Sequence, residues 1–506
     1  MLSRGPDARA WYQPRAMRRV IFIELNEADQ HFLDRYIAQG LLPAFAKMKQ
    51  QGTFVTTKIP TWNPREPKAH RTISPWIIWP TIYTGLDPDD HQIVGFGQDT
   101  SSIQGKCVWD VLDANGVSTG VFGSLMSYPP RTQGNATFYV PEALADDPAC
   151  FPPDARALQE FCLFGARNYA ETSPLRMLSG LRLLANTRKS GVSLGTIARL
   201  VAQLPIEKAF GQSREPERAM LLSYAAFDAW KGLYAQYRPR FATLHMNHVA
   251  YMQHRYWRAA EPERFASELS TTDRRFFTRV EDRKTYEKKL SHRIEQSFLE
   301  SDRMLGEVMA LADDETVVVV ASALGQKPID PVSGFYNPLV RLERANDLLK
   351  LLGVGKFEAL FQMNPDLTVN FDGPESAERA ETLIQGLYVI EGQPLFHIDR
   401  RGHQLFLELV MPEPVIPRKQ QRIRHATKKD LDLQLASYTR EHNTNDQSTG
   451  HHKDSGFCLV WSSGLKVTAP GKVAPVTALA PALLSVFGIA PSPWMHSAPP
   501  AFQVEA

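Results

Sequence analysis

Residues 72–91 read T-I-S-P-W-I-I-W-P-T-I-Y-T-G-L-D-P-D-D-H, and this stretch is the most informative in the chain. Ser74-Pro75 predicts a helix start, because Ser caps free N–H groups and Pro suits the first helical turn. The apolar run from Trp76 to Tyr83 predicts a buried helix, bent near Pro80. Backbone N–H groups and the helix dipole favour an anion at such an N-terminus, so Ser74 is a candidate phosphate-binding residue. The alternative is that Ser74 only caps the helix.

The composition excludes several classes of protein. The chain has 506 residues, 43% hydrophobic and 22% charged, which is typical of a globular protein with one large or several smaller lobes. The net charge of +2 is too small to predict that the chain binds nucleic acid or a membrane through its overall charge. We expect no secretory signal and no membrane span, because no long apolar run is visible. The cysteines are scattered without a C-x-x-C pair, so we expect reduced thiols and a cytoplasmic protein.

Polar residues follow the predicted first strand at its carboxyl end. Val20 to Ile23 is a short apolar run that predicts a central strand of a parallel sheet. Glu24, Asn26 and Glu27 come directly after it. Ligands of open α/β sheets bind at the carboxyl ends of strands, so these residues are well placed to bind one. The alternative is a polar cluster that only starts the helix predicted at residues 29–38.

A second predicted strand, at residues 241–248, ends among histidines. His245, His248 and His254 lie within ten positions of one another. Imidazole is a common metal ligand, so this trio is a candidate for metal or phosphate chemistry, although a single histidine is more often structural. Residues 316–321 predict a further buried strand.

The order of elements predicts an α/β fold with a large, mostly parallel sheet between helices. A strand, helix and hairpin pattern late in the chain predicts a small α+β insert. The chain is predicted to begin with a basic tail at 1–17 and a core at 18–348, which has a helical insertion at about 155–238. The small insert and a basic connector follow at 349–440. The chain then returns to the core at 441–506, beginning with a loop at 441–455.

Several segments carry the motifs of one family in the same order. They are Val20 to Glu27 as its first metal-ligand strand, Thr84 to His91 as T-G-x-x-P-x-x-H-G, Trp109 to Gly116 as W-x-x-L-x-x-x-G, Ser127 to Pro130 as T-Y-P-P, Gly450 to Gly464 as G-x-H-x-x-x-G, and Ala480 to Pro491 as A-P-T-x-L…G-x-x-x-P. In these segments the chain resembles the alkaline phosphatase-like superfamily, and within it the type I phosphodiesterase/nucleotide pyrophosphatase branch.

The resemblance implies a hydrolase with two zinc-type metals. In that family Asp and His residues hold the metals, and a Thr or Ser at a helix N-terminus attacks phosphorus to form a covalent intermediate. The metals activate the hydroxyl and stabilise the leaving oxygen. Ser74 is the best match for the hydroxyl, with Thr72 and Thr81 as alternatives.

One of the two implied metal sites has lost ligands. The family builds it from the first-strand Asp, the nucleophile and an Asp-His pair. The Asp-His pair stands here as Ala323 and Leu324, which cannot bind a metal. The first-strand Asp stands as Asn26, a weaker ligand, for which Glu24 or Glu27 are substitutes.

The other implied metal site is better preserved. The family builds it from a D-x-x-x-H segment and a late histidine. His254 and His452 match the two histidines, Ala250 stands at the Asp, and His248 lies close enough to substitute. Three protein ligands with an open fourth position suit a catalytic zinc. The resemblance therefore implies at most one divalent metal, held by His254, His452 and His248.

We therefore predict a divergent alkaline phosphatase-like hydrolase of a phosphodiester or phosphomonoester. Ser74 is the candidate catalytic residue, and Asn26, Glu27 and Thr72 are candidate substrate-binding residues. The expected substrate is a phosphorylated small molecule or a glycoconjugate. The alternatives are a non-catalytic pseudoenzyme that binds a phosphorylated ligand or a protein partner, and a metal-free hydrolase of a sulfate or acyl ester.

Overall fold

The computed structural model describes residues 18–59, 73–93, 95, 98–168, 174–210, 215–269, 274, 277–329, 340–361, 367–410, 420–441, 448–496 and 499–505. The helices are α1 Gln30–Ala38, α2 Pro43–Gln51, α3 Pro75–Thr84, α4 Pro88–His91, α5 Val108–Ala114, α6 Arg156–Asn168, α7 Pro174–Asn186, α8 Leu194–Phe210, α9 Glu215–Tyr237, α10 His248–Ala260, α11 Val280–Leu290, α12 Arg293–Leu311, α13 Ala345–Leu352, α14 Pro374–Gln385, α15 Leu435–Tyr438 and α16 Leu479–Val486. Across these described ranges, no helix combines the length and the apolar character needed to cross a bilayer.

The strands follow the same chain order. They are β1 Arg19–Leu25, β2 Thr53–Lys58, β3 Thr119–Phe122, β4 Ala136–Val140, β5 Phe241–Met246, β6 Thr316–Ser322, β7 Gly325–Pro328, β8 Val340–Arg341, β9 Phe357–Phe361, β10 Leu367–Phe371, β11 Leu387–Tyr388, β12 Phe396–Arg401, β13 Gln404–Leu409, β14 Arg422–His425, β15 Asp432–Gln434, β16 Arg440–Glu441, β17 Gly450–Lys453, β18 Ser455–Ser462, β19 Val467–Thr468, β20 Val473–Pro475 and β21 Gln503–Val504.

The main sheet has the order β20-β2-β18-β6-β1-β5-β3-β4, eight strands when counted over the described residues. Strands β6, β1, β5, β3 and β4 are parallel, and β18 runs antiparallel to both β6 and β2. Strand β1 lies between β6 and β5 near the middle of this sheet. The predicted α/β fold with a large, mostly parallel sheet is therefore confirmed.

Strand β1 separates two hydrophobic clusters because its side chains alternate between the two faces of the sheet. Ile21 and Ile23 pack into the cluster that includes residues of α1, α10 and α12. Val20 and Phe22 pack into the other cluster, with residues of α3, α5 and α16. Glu24 continues the face of Val20 and Phe22, so its side chain lies on the side of α3.

Helix α3 confirms the buried helix predicted from residues 74–85. Ser74 is its N-cap, with extended backbone and a side chain that accepts the N–H of Trp76. Gly85 closes the helix with a φ of 66°, a left-handed conformation that glycine adopts without strain. Pro80 lies inside the helix, and Trp79 is fully buried.

Two further regions pack beside the main sheet. The described part of residues 155–238 is mostly helical and contains α6 to α9. Strands β9, β10, β12 and β13 form a separate four-stranded sheet, and residues from Leu342 to Leu435 share their own hydrophobic cluster.

The loop predicted at residues 441–455 is wrong for its second half. Strand β17 pairs antiparallel with β7 and places His452 opposite Gln326. The sequence G-H-H-K has no alternation of apolar and polar residues, which is the local signal of a strand. The strand depends on pairing with a distant segment, so the sequence did not predict it. The first half of the predicted loop, residues 442–447, lies outside the described residues.

Candidate metal and phosphate site

Three side chains from distant parts of the chain meet beyond the carboxyl end of β1. Glu27 follows β1, His254 lies on α10, and His452 lies on β17. Nε2 of His254 is 2.8 Å from Oε2 of Glu27, and Nε2 of His452 is 3.1 Å from the same oxygen. One ligand atom from each residue lies within 4.8 Å of the others, so the three can hold a metal ion. We call these residues the Glu-His-His group.

The backbone at Glu27 adopts a conformation that few residues other than glycine adopt. Its φ is 55°, in the left-handed region. The side chain of Gln253 holds this turn, because it donates to the carbonyl of Glu27 at 2.6 Å and accepts the N–H of Asp29 at 3.0 Å. Strained conformations persist where the surroundings hold them, and they cluster at functional sites.

The carboxylate of Glu27 is buried and fully engaged. Gln326 donates to Oε2 at 2.6 Å, and Asn26 donates to Oε1 at 3.3 Å. Burial raises the pKa of Glu27, but the charges of His452 and His254 and the hydrogen bonds from both rings outweigh it. The pKa is therefore held well below its usual range, and Glu27 is an anion in this site.

The second nitrogen of each histidine ring is fixed by a backbone carbonyl. Nδ1 of His254 is 2.8 Å from the oxygen of Gly450, and Nδ1 of His452 is 2.6 Å from the oxygen of Ile73. A carbonyl only accepts, so each Nδ1 carries hydrogen, and in a neutral ring Nε2 has a lone pair. Two such lone pairs would face the carboxylate of Glu27. The arrangement therefore needs a proton on each Nε2 or a cation among the three groups, and anchoring of Nδ1 is typical of metal-bound histidine.

Close packing brings β17 against α10. A side chain at Gly450 would collide with the carbonyl oxygen of Gln253 and with Oε1 of Gln326, so only glycine allows this approach. Asp29, which is buried, pairs with Lys453 and accepts the N–H of Gln326 at 3.2 Å. The sequence did not identify Gln253, Gln326 and Asp29 as supporting residues, because no local pattern distinguishes a glutamine or an aspartate that orients a ligand.

The neighbouring half of the site is apolar or internally hydrogen-bonded. Ala323 and Leu324 are fully buried in the cluster that also contains residues of α3. Oδ1 of Asn26 accepts Nε1–H of Trp79 at 2.9 Å, and Nδ2 of Asn26 donates to Oδ1 of Asn247 at 2.8 Å. These residues do not fit a metal ion. We call Asn26, Trp79, Ala323 and Leu324 the apolar half.

The structure does not bring His248 to the other two predicted metal ligands. Its Nε2 is 2.9 Å from Oγ of Ser301 on α12, and burial lowers its pKa to about 4. His248 and His254 are six positions apart on α10, a spacing that puts them on different faces of a helix. Glu27 occupies the third place in the group, although sequence analysis assigned it to binding substrate oxygens.

Ser74 lies beside the Glu-His-His group. Its Oγ accepts the N–H of Trp76 at 3.4 Å, as expected of an N-cap, while the carbonyl of the preceding residue, Ile73, contacts His452. Thr81, the alternative nucleophile, is buried inside α3 and is 3.0 Å from both Ile77 O and Nε2 of His91. Thr72 lies outside the described residues.

A second group of possible ligands lies at the surface. His496 contacts Asp87 at 3.3 Å through Nδ1 and Asp90 at 2.7 Å through Nε2. The three ligand atoms are close enough to hold a metal, but Asp90 and the imidazole are exposed. The contact ties residue 496 to Asp90 of α4 and to Asp87, its N-cap.

Comparison with known proteins gives a family. The family model of type I phosphodiesterase/nucleotide pyrophosphatase matches residues 20–405. No curated protein matches the chain. Similar solved structures include a phosphonoacetate hydrolase from Sinorhizobium meliloti 1021 in complex with phosphonoformate, with 15% identity, coverage of 89% of this chain and 92% of that chain, and a TM-score of 0.33.

Murine ectonucleotide pyrophosphatase/phosphodiesterase 5 is also similar, with 10% identity, coverage of 94% of this chain and 96% of that chain, and a TM-score of 0.36. At such identities and TM-scores the structural likeness carries no argument about the site. The family match, however, covers well over half of the chain. The chain therefore belongs to the type I phosphodiesterase/nucleotide pyrophosphatase family, within the alkaline phosphatase-like superfamily.

Proposed function

We propose that this protein hydrolyses a phosphodiester with one divalent metal, zinc, held by Glu27, His254 and His452. The observation that supports this most is the orientation of the two rings: both Nδ1 atoms face carbonyls while both Nε2 atoms face one buried carboxylate. Two nitrogen ligands and one oxygen ligand with an open fourth position are typical of catalytic zinc. When bound, such an ion supplies Lewis-acid stabilisation of an oxygen on phosphorus.

Ser74 is the attacking group in this proposal. The dipole of α3 would favour the phosphate anion at this helix N-terminus. The N–H of Trp76 donates to Oγ of Ser74, and those of Ile77 and Ile78 donate to the carbonyl of Ser74. The contact between Ile73 and His452 ties this helix start to the metal ligands. Asn247 is exposed, and Asn26 holds its side chain, so Asn26 would act on the substrate through Asn247. Thr72 stays a candidate for substrate binding.

Charge balance supports a diester over a monoester. Glu27 contributes one negative charge, and a divalent ion would leave the group with a single positive charge. Lys453, the neighbouring cation, is already paired with Asp29. A phosphodiester has one negative charge and matches this balance, whereas a monoester dianion is undercompensated.

Metal analysis of the purified protein tests the proposal. We expect about one zinc per chain and turnover of bis(p-nitrophenyl) phosphate in preference to p-nitrophenyl phosphate. His254→Ala and His452→Ala should lose metal and turnover together. His397→Ala, an exposed histidine on β12, is the matched control and should change neither. Wild-type protein without metal and without turnover of either ester would overturn the proposal.

The buried, apolar Ala323 and Leu324 favour a second candidate, a pseudoenzyme that binds a phosphorylated ligand. Its signature is wild-type protein that turns over neither ester yet gains thermal stability with phosphorylated small molecules. Loss of that stabilisation in Ser74→Ala or His452→Ala would place the ligand at this site.

A further inference from the structure

A buried carboxylate with no role in the proposed reaction lies on β1, three positions before Glu27 of the Glu-His-His group. Glu24, on β1, is fully buried. Its Oε2 accepts the hydroxyl of Tyr83 at 2.7 Å and is 3.0 Å from Nδ1 of His245, and its Oε1 accepts the hydroxyl of Ser124 at 2.7 Å. Burial and Glu24 raise the pKa of Tyr83 well above its usual range, so the phenol remains a donor.

The sheet itself pairs Glu24 with His245. The two residues are direct partners in the parallel register of β1 and β5, so their side chains lie on the same face. Because Nδ1 of His245 faces a carboxylate, it holds the hydrogen, and Nε2 of the neutral ring is then an acceptor. Within the described ranges, Nε2 makes no hydrogen bond, and the side chain is 7% exposed. A ring oriented by a carboxylate with its second nitrogen free has the arrangement of a general base.

His245 also lies next to the apolar half. Its ring packs edge-on against Trp79 with centroids 5.7 Å apart, and Trp79 donates to Asn26. Asn247, two positions further along the chain, is exposed and accepts a hydrogen bond from Asn26. Asn26 in turn contacts Glu27. His245 therefore lies beside Trp79 and Asn26 of the apolar half, whereas Ala323 and Leu324 follow β6, on the opposite side of β1 from β5.

We propose that His245, oriented by Glu24, is the general base of the reaction; this rests on the proposed function. A serine hydroxyl is a weak nucleophile and needs a base or a cation to activate it. The proton of the attacking hydroxyl of Ser74 moves to Nε2 of His245, directly or through one water, as the new O–P bond forms. The bond from phosphorus to the substrate's alcohol oxygen breaks, its electron pair leaves with that oxygen, and the proton on His245 returns to it through water. A water molecule then attacks phosphorus in the same way, and Ser74 recovers its proton.

The test compares His245→Asn, His245→Ala and wild type in metal content, melting temperature and turnover of bis(p-nitrophenyl) phosphate. Asn keeps a donor for Glu24 but provides no base. We expect kcat to fall by about 10²–10⁴-fold in both variants, with zinc content unchanged and, in His245→Asn, a melting temperature close to that of wild type. Added imidazole should restore part of the turnover in His245→Ala. Glu24→Gln, a positioning variant, should lower kcat less than His245→Ala and change its pH dependence.

If the wild type is active and the kcat of His245→Asn is within about threefold of the wild-type value, the inference alone is overturned, because loss of a general base should lower kcat by about 10²–10⁴-fold. A parallel loss of zinc in His245→Asn would also overturn it, because the role would then be structural. Wild-type protein that turns over neither ester overturns the proposed function and the inference together.

Discussion

The Glu-His-His group and the apolar half occupy neighbouring parts of one sheet edge, yet they have opposite chemistry. In the first, a strained turn and two glutamines hold a carboxylate between two anchored histidines. In the second, Ala323 and Leu324 pack as core residues and Asn26 is hydrogen-bonded to Trp79 and Asn247. Each of these polar side chains makes at least one hydrogen bond, although within the described residues Oε1 of Gln326 is buried without a partner.

The two halves share the turn after β1, which supplies Asn26 to one and Glu27 to the other. Their remaining members come from different segments: His254 and His452 from α10 and β17, and Ala323 and Leu324 from the end of β6. The Glu-His-His group is therefore assembled although the residues after β6 offer no ligand. Substitutions in either half test this contrast.

Restoring polar ligands to the apolar half should have the largest effect. In Asn26→Asp/Ala323→Asp/Leu324→His, charged groups would enter a fully buried site. Without metal we expect a loss of about 3–5 kcal/mol in unfolding free energy, because unpaired buried charges are costly. With excess zinc the loss should shrink and zinc content should approach about two per chain. Urea denaturation with zinc or with a chelator measures both; equal stability in the two conditions would contradict the prediction.

Removing the anionic ligand should come next. We expect Glu27→Gln to weaken zinc binding by about 100-fold or more, a larger loss than typical for groups that only support ligands. Gln326 contacts both Glu27 and the carbonyl of Ala250, and Ala250 lies one helical turn before His254. Ala250→Asp in the Glu27→Gln background should therefore recover part of the affinity. Competition with a zinc chelator measures it.

Ala260→Asp, at the end of the same helix, is the matched control and should recover nothing in that background. Unchanged zinc affinity in Glu27→Gln alone would mean that Glu27 is not a ligand.

A buried carboxylate outside both halves should behave differently from Glu27. Burial raises the pKa of Glu142 to about 7, although it accepts hydrogen bonds from Ser127 and from the N–H of Tyr128. Below its unfolded pKa of 4.5 the stabilisation from the bound proton is fully present. As the pH rises through about 7 it is lost, by roughly 3 kcal/mol. Glu142→Gln should flatten the fall in unfolding free energy between pH 4 and pH 8, about the interval that spans both pKa values; an unchanged slope would refute it.

The smallest effect should come from the hydrogen bond inside the apolar half. Trp79→Phe removes the donor to Asn26, whereas Trp230→Phe removes an indole nitrogen that has no hydrogen-bond partner within the described residues. Both tryptophans are fully buried, so the cavity left behind is comparable. We expect Trp79→Phe to cost about 1 kcal/mol more than Trp230→Phe in unfolding free energy. Equal costs in urea denaturation would show that the bond contributes little.

Local patterns were enough to predict much of the fold. The apolar run before Tyr83 and the valine-rich strand at 316–321 are buried because their side chains leave no polar face. The site was predicted less completely. His254 and His452 came from motif spacing, but the assignment of His248 depended on where α10 begins, and that decides which face each residue occupies.

Residue identity alone decides the chemistry of the apolar half: Ala323 and Leu324 have no lone pair to offer a metal, whatever the fold. The place of Glu27 is different, because a carboxylate after a strand has many possible partners. It meets His254 and His452 only because β17 pairs with β7, Gly450 lets that strand approach α10, and the backbone at Glu27 turns into the left-handed region. Contacts between segments hundreds of positions apart depend on packing, and no local pattern in the chain encodes them.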